Sequence, residues 1–92
     1  MIRLARGRSA ATTVTFALPV DVGPVSVVGD FNGWTPGAHP LVKRSNGTRS
    51  VAVELAPGRF EFRYLADGGV WLDEPTAPEH AGDNSIVIVP AA

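Results

Sequence analysis

Residues 25–34 read VSVVGDFNGW, and this stretch decides how the chain folds. The valines predict a short strand, and the Asp, Asn and Gly residues after it predict a tight turn, because they accept a positive φ or hydrogen-bond to their own backbone. The turn delivers two large aromatic side chains, Phe31 and Trp34. Either both rings plug the end of a β-sheet core, or Phe31 plugs the core while Trp34 stands out as a binding surface.

Further short segments with alternating or β-branched residues lie on both sides of this stretch. The predicted strands are residues 12–18, 25–30, 41–44, 48–55, 59–66, 70–73 and 85–89. Turn residues separate them at regular intervals, and no segment has a helical period. The pattern predicts an all-β fold, an immunoglobulin-like antiparallel β-sandwich of about seven strands.

Residues 59–66 alternate most clearly. Phe60, Phe62 and Tyr64 are predicted on the core face, and Arg63 on the opposite, solvent-facing side. Earlier in the chain, Asn46-Gly47 predicts a two-residue hairpin of type I′, a turn that requires a positive φ at both positions.

The chain of 92 residues is predicted to be one domain. Residues 1–11, with three arginines, are predicted to be a flexible basic tail, and residues 12–90 to be the sandwich domain. Two prolines, a glycine and several polar residues predict a loop over residues 74–83. The full-sized sandwich is consistent with a free-standing small protein.

Composition excludes several classes of function. The net charge of -1 gives no general attraction to nucleic acid or acidic membranes, and no apolar run is long enough to cross a bilayer, so neither partner is predicted. The absence of cysteine removes disulfides and thiolate metal sites, which favours a cytoplasmic location. No cofactor is predicted, because His39 and His80 have no third ligand at a suitable spacing. Asp73 and Glu74 are adjacent and would point to opposite faces of a strand, so the chain is predicted not to be an enzyme.

Four residues together have the chemistry of a carbohydrate-binding surface: Trp34, Arg63, Trp71 and Asn84. An indole stacks on the C–H face of a glucose ring, while a guanidinium and an amide bond the hydroxyl groups at its rim. Two stacks at about 1 kcal/mol each and a few hydrogen bonds predict micromolar to millimolar affinity, typical of a weak binder of a polymer. Alternatively, Trp71 is a core residue, Arg63 an exposed charge beside Glu61, and Asn84 a strand-entry residue.

Four blocks of sequence resemble a known family. They are GDFNGW at residues 29–34, PGRFEFRY at 57–64, the D-G-x-x-W pattern ending at Trp71, and NSIVIV from Asn84. In this order they resemble the glycogen-binding domain of the AMP-activated protein kinase beta subunit and its relatives, the family 48 carbohydrate-binding modules and isoamylase N-terminal, early-set domains. The resemblance covers about residues 12–90.

The resemblance implies a noncatalytic module that binds glycogen or related α-glucans. It assigns glucose stacking to Trp34 and Trp71, and hydrogen bonds to sugar hydroxyls to Asn84 and to Arg63, which replaces a lysine of the family. The loop at residues 74–83 is shorter than in the glycogen-binding members, and His80 stands about where they have a leucine that inserts beside the sugar. The alternative is an early-set scaffold that docks a glucan-metabolising enzyme or a kinase and binds no sugar itself.

Overall fold

The computed structural model describes residues 1–6 and 11–91, and it contains nine strands and no α-helix in that part of the chain. The strands are β1 (Ile2–Arg6), β2 (Thr12–Pro19), β3 (Val25–Gly29), β4 (Val42–Lys43), β5 (Thr48–Leu55), β6 (Gly58–Ala66), β7 (Val70–Leu72), β8 (Glu79–Ala81) and β9 (Asn84–Val89). The predicted all-β class is confirmed. All seven predicted strands are present with small shifts of their ends, and two more are added.

The strands form two antiparallel sheets. One has four strands in the order β1-β2-β5-β4, and the other has five, in the order β3-β6-β9-β8 with β7 also paired to β6. The sheets are linked beside β3, where Val27 N donates to His39 O and Leu41 N donates to Val25 O, before the chain continues as β4 of the other sheet. Because the chain crosses between the sheets here, β4 is only two residues long, although a strand was predicted over residues 41–44.

The core lies between the sheets and is centred on aromatic rings. Phe16 of β2 packs against Phe62 of β6 with ring centroids 4.9 Å apart, and Phe62 packs against Tyr64 at 5.7 Å. All three side chains are fully buried. The predicted core face of residues 59–66 is therefore confirmed, and the alternate residues of β6 face away from the other sheet.

Residues 2–6, which were predicted to belong to a flexible basic tail, form the strand β1. β1 pairs with β2 along its full length, so that Ile2 lies opposite Phe16 and Leu4 opposite Val14. The free edge of β2 offers unpaired backbone groups, and pairing with it satisfies both strands. The arginines obscured this alternation, and the third of them, Arg8, lies outside the described residues.

Two turns also differ from expectation. β8 lies within the predicted loop 74–83, and the two residues Gly82-Asp83 connect it to β9, with Gly82 at φ 59°. The Asn46-Gly47 turn is not of type I′, since Gly47 has a positive φ and Asn46 does not. Instead Asn46 Oδ1 accepts a hydrogen bond from Thr48 N at 3.3 Å, which fixes the turn through a side chain.

Candidate functional site

The turn after β3 is braced from within. Gly29 N donates to Asn32 Oδ1 at 3.0 Å, and Asn32 Nδ2 donates to Val27 O at 3.1 Å. These bonds fold the turn back onto its own strand. Phe31 then stacks on Phe16 with ring centroids 5.6 Å apart, so this ring closes one end of the core.

Trp34 follows the same turn, and its side chain is partly exposed. Its φ is 57°, the only positive value at a non-glycine position in the described chain, and its backbone N–H donates to Gly29 O at 2.9 Å. The indole is partly exposed, and its Nε1 donates to Asp30 Oδ1 at 3.0 Å. Both rings are half-buried, but Phe31 packs against the core while Trp34 lies beside Asp30.

Arg63 and Trp71 lie together on the side of the five-stranded sheet that faces away from the core. In the register, Trp71 lies opposite Leu65. The indole is 43% exposed, and the Arg63 guanidinium carbon lies 5.1 Å from its ring centroid, a cation–π contact. Arg63 also pairs with Asp73 at 3.6 Å, and its Nε is buried with no hydrogen-bond partner among the described residues.

Asn84 belongs to the same side of the sheet. It is two residues before Ile86, which lies opposite Glu61, and Asn84 Nδ2 donates to Glu61 Oε1 at 3.0 Å. We call the surface that carries Arg63, Trp71 and Asn84 the outer face. Trp34 is joined to it through Asp30, whose Oδ2 accepts a hydrogen bond from Glu61 N at 2.8 Å.

The outer face has an apolar floor. Val28 lies opposite Arg63 and Ile86 opposite Glu61, and both are fully buried although they face away from the core. Long side chains with charged ends cover such residues with their aliphatic stems. The polar and aromatic side chains of the outer face therefore lie over the buried apolar residues of the sheet.

A concave space of about 340 Å³ opens beside the outer face. It is lined by Pro36 and Gly37, which follow Trp34, and by Ser26 and Leu65 of the sheet. Leu65 is the register partner of Trp71, but none of the four predicted site residues, Trp34, Arg63, Trp71 and Asn84, lines the space. Its volume is within the range of small-ligand sites.

Glu74, the first residue of the predicted loop 74–83, is a buried carboxylate that lies away from the outer face. Glu74 is 0% exposed, and its Oε1 accepts hydrogen bonds from the Tyr64 hydroxyl at 2.7 Å and from the amino group of Met1. Its Oε2 accepts from Thr76 N and Oγ1 at 3.1 and 2.7 Å. Glu74 is thus a structural anchor and is not part of the outer face.

The pKa of this pair follows from its partners. Burial alone would raise the pKa of the Glu74 carboxyl, but hydrogen bonds from the terminal ammonium, Thr76 and Tyr64 stabilise the charged form more and lower the pKa below its ordinary value. Burial, together with the hydrogen bond to Glu74 and its charge, raises the pKa of Tyr64 far above the usual range, so the hydroxyl remains a donor.

His80 does not share the outer face with Asn84. It lies opposite Ser85, whose hydroxyl accepts from Glu74 N, and its Nε2 lies 3.2 Å from Glu74 O. It therefore does not take the place of the leucine that the resemblance implied. Among residues 1–6 and 11–91, no three His, Cys, Asp or Glu side chains form a metal site, and no helix could span a membrane.

Comparison with known proteins identifies the chain's relatives. The family model described as the glycogen recognition site of AMP-activated protein kinase matches residues 12–89. Protein FLOURY ENDOSPERM 6, chloroplastic, of Oryza sativa subsp. japonica is 37% identical over 54 residues, which are 59% of this chain and 10% of that protein. Protein PTST homolog 2, chloroplastic, of Arabidopsis thaliana is 30% identical over 66 residues, 72% of this chain and 12% of that protein.

A bacterial enzyme is also similar. The 1,4-alpha-glucan branching enzyme GlgB 2 of Xanthomonas campestris pv. campestris (strain 8004) is 41% identical over 51 residues, 52% of this chain and 7% of the enzyme. The chain therefore spans about a tenth of the length of these relatives.

Proposed function

The chain belongs to the family of the glycogen recognition site of AMP-activated protein kinase, and from this premise we propose that it is a noncatalytic module that binds α-1,4-linked glucan chains. The ligand is glycogen, starch or a maltooligosaccharide. The residues that make the contacts are Trp34, Arg63, Trp71 and Asn84, all of them on or joined to the outer face.

One observation carries this proposal. Arg63, Trp71 and Asn84 share one surface, where Trp71 is half-exposed and lies beside Arg63, and this supports the proposal. An indole with one face toward solvent can stack on a glucose ring. Arg63, whose guanidinium is held by Trp71 and Asp73, can donate to the hydroxyls at the edge of that ring.

Contacts on an open surface predict weak binding. Each stack contributes about 0.5–1.5 kcal/mol, so losing one indole weakens binding by about fivefold. Trp34→Ala and Trp71→Ala should therefore each lose retardation in native gels that contain glycogen. Val42→Ala is the matched control, because Val42 is an exposed apolar residue of the other sheet.

The gel has a clear contrary outcome. If the wild-type chain and both tryptophan variants migrate alike with and without glycogen, the proposal is wrong. If wild type is retarded and only one tryptophan variant loses retardation, binding stands and the second indole is removed from the site.

Two further expectations remain proposals. A glucan-metabolising enzyme or kinase as a partner is suggested by the family and by the similarity to a branching enzyme. The alternative is a scaffold without sugar binding. It would be favoured by a pull-down that recovers a stable partner together with glucan titrations that detect no binding. The cytoplasmic location stays a prediction, to be tested by imaging a fluorescent fusion.

A further inference from the structure

Two carboxylates outside the predicted contact set touch two of its members. Asp30 accepts a hydrogen bond from the indole of Trp34, and Glu61 accepts one from the amide of Asn84, both at 3.0 Å. The two residues are also linked, because the backbone N–H of Glu61 donates to Asp30 Oδ2 at 2.8 Å. The turn after β3 is thereby tied to β6 and to β9.

Asp30 determines what the Trp34 ring can offer. The indole has one N–H donor and no acceptor, and Asp30 takes that donor. The ring therefore presents its π face and not a hydrogen bond. Asp30 also holds Trp34 where its backbone is left-handed, a conformation that is unfavourable for a large side chain and needs support from its surroundings.

Glu61 determines which end of the Asn84 amide faces the ligand. An ionised carboxylate only accepts hydrogen bonds, so the amide turns its Nδ2 toward Glu61 and its Oδ1 the other way. The free oxygen is an acceptor. A group that meets it must donate, as a sugar hydroxyl does.

We infer that Asp30 and Glu61 are positioning residues of the glucan surface, which orient the Trp34 ring for stacking and the Asn84 oxygen for accepting a sugar hydroxyl. The inference rests on the proposed function. Both of the Asp30 oxygens already accept hydrogen bonds within the protein, and one oxygen of Glu61 accepts from Asn84.

The test for Asp30 combines a spectrum and a titration. In Asp30→Ala, the indole N–H resonance of Trp34 should move while that of Trp71 and the dispersed backbone resonances stay, and maltoheptaose should bind up to about fivefold more weakly, the loss expected for the whole indole. Asp30→Asn keeps an acceptor for the indole, so its affinity should lie between those of Asp30→Ala and wild type. Asp21→Ala is the matched control, an exposed aspartate within another short 3₁₀ helix, Val20–Val22.

The test for Glu61 is rescue by its amide. Glu61→Ala frees the Asn84 amide to rotate and should weaken maltoheptaose binding several-fold, whereas Glu61→Gln keeps a carbonyl acceptor for Nδ2 and should bind nearly as wild type. Equal losses in Glu61→Ala and Glu61→Gln would overturn the positioning role of Glu61.

The binding results distinguish failure of the positioning role from failure of the proposed function. Wild type that binds maltoheptaose, with Asp30→Ala binding equally well, overturns the positioning role of Asp30 and leaves the proposed function intact. Wild type that does not bind maltoheptaose overturns the proposed function and this inference with it. An Asp30→Ala chain that fails to fold leaves the decision to Asp30→Asn, whose affinity must then fall below that of wild type.

Discussion

Glu74→Ala should lower the free energy of unfolding by about 3 kcal/mol, because it leaves the buried Tyr64 hydroxyl without its acceptor and removes the hydrogen bonds from Thr76 and Met1. The Tyr64 hydroxyl, the Thr76 hydroxyl and the Met1 amino group all donate to this carboxylate. Urea denaturation at neutral pH measures the loss. Glu54→Ala is the matched control, since Glu54 is exposed on β5, and it should change stability by less than about 0.5 kcal/mol. Equal stabilities of the two variants would contradict the anchoring role of Glu74.

The contribution of Glu74 depends on pH in a definite direction. A carboxyl whose pKa is lowered in the folded state stabilises the fold above its unfolded pKa of about 4.3 and loses that contribution as the pH falls through the folded pKa. The stability difference between wild type and Glu74→Gln should therefore be full at neutral pH and shrink below pH of about 4. A difference that grows on acidification would contradict this account.

Gly29→Ala should destabilise the fold by about 3 kcal/mol, at the upper end of overpacking effects. A Cβ at Gly29 would lie 2.6 Å from Glu61 O, 2.8 Å from Phe62 Cβ and 2.9 Å from Phe31 Cε2. The first of these atoms belongs to the backbone and the second to a core side chain, so neither can move aside without a large cost in free energy. The backbone of Gly29 is extended, and the expected loss is therefore steric.

Gly37→Ala provides the comparison for this prediction. Gly37 has φ 78° and nothing within 4 Å of a Cβ, so its substitution should cost only the left-handed strain of about 1 kcal/mol. Both are measured by urea denaturation. A Gly29→Ala chain as stable as Gly37→Ala would show that the neighbours of Gly29 can move aside.

The fold was predictable where side chains alternate between core and solvent. The Phe60, Phe62, Tyr64 pattern identified β6 and its inward face because burial on one side of a sheet has a period of two. β1 was missed because Arg3 and Arg6 resemble a solvated terminus, although Ile2 and Leu4, on either side of Arg3, lie opposite Phe16 and Val14 of β2. β8 has no β-branched residue, and only the Gly82-Asp83 pair signalled its hairpin.

The site was predictable only as far as its surface chemistry. Parity placed Arg63 on the outward side of β6, whereas the turn sequence left open whether Trp34 packs in the core or stands out from it. The carboxylate contacts could not be predicted, since Asp30 and Glu61 are 31 residues apart and alternation does not specify which side chains meet. Glu74 was missed for the same reason, because its partners come from the chain start, β6 and its own turn.

Titration of the wild-type chain with maltoheptaose, followed by tryptophan fluorescence, tests the central claim most directly. We expect a saturable change in tryptophan fluorescence, with a dissociation constant between micromolar and millimolar. We expect no fluorescence change with the β-linked cellohexaose, and none with maltoheptaose in the Trp34→Ala, Trp71→Ala double variant. Unchanged wild-type fluorescence at several millimolar maltoheptaose, confirmed by calorimetry that detects no heat of binding, would contradict it.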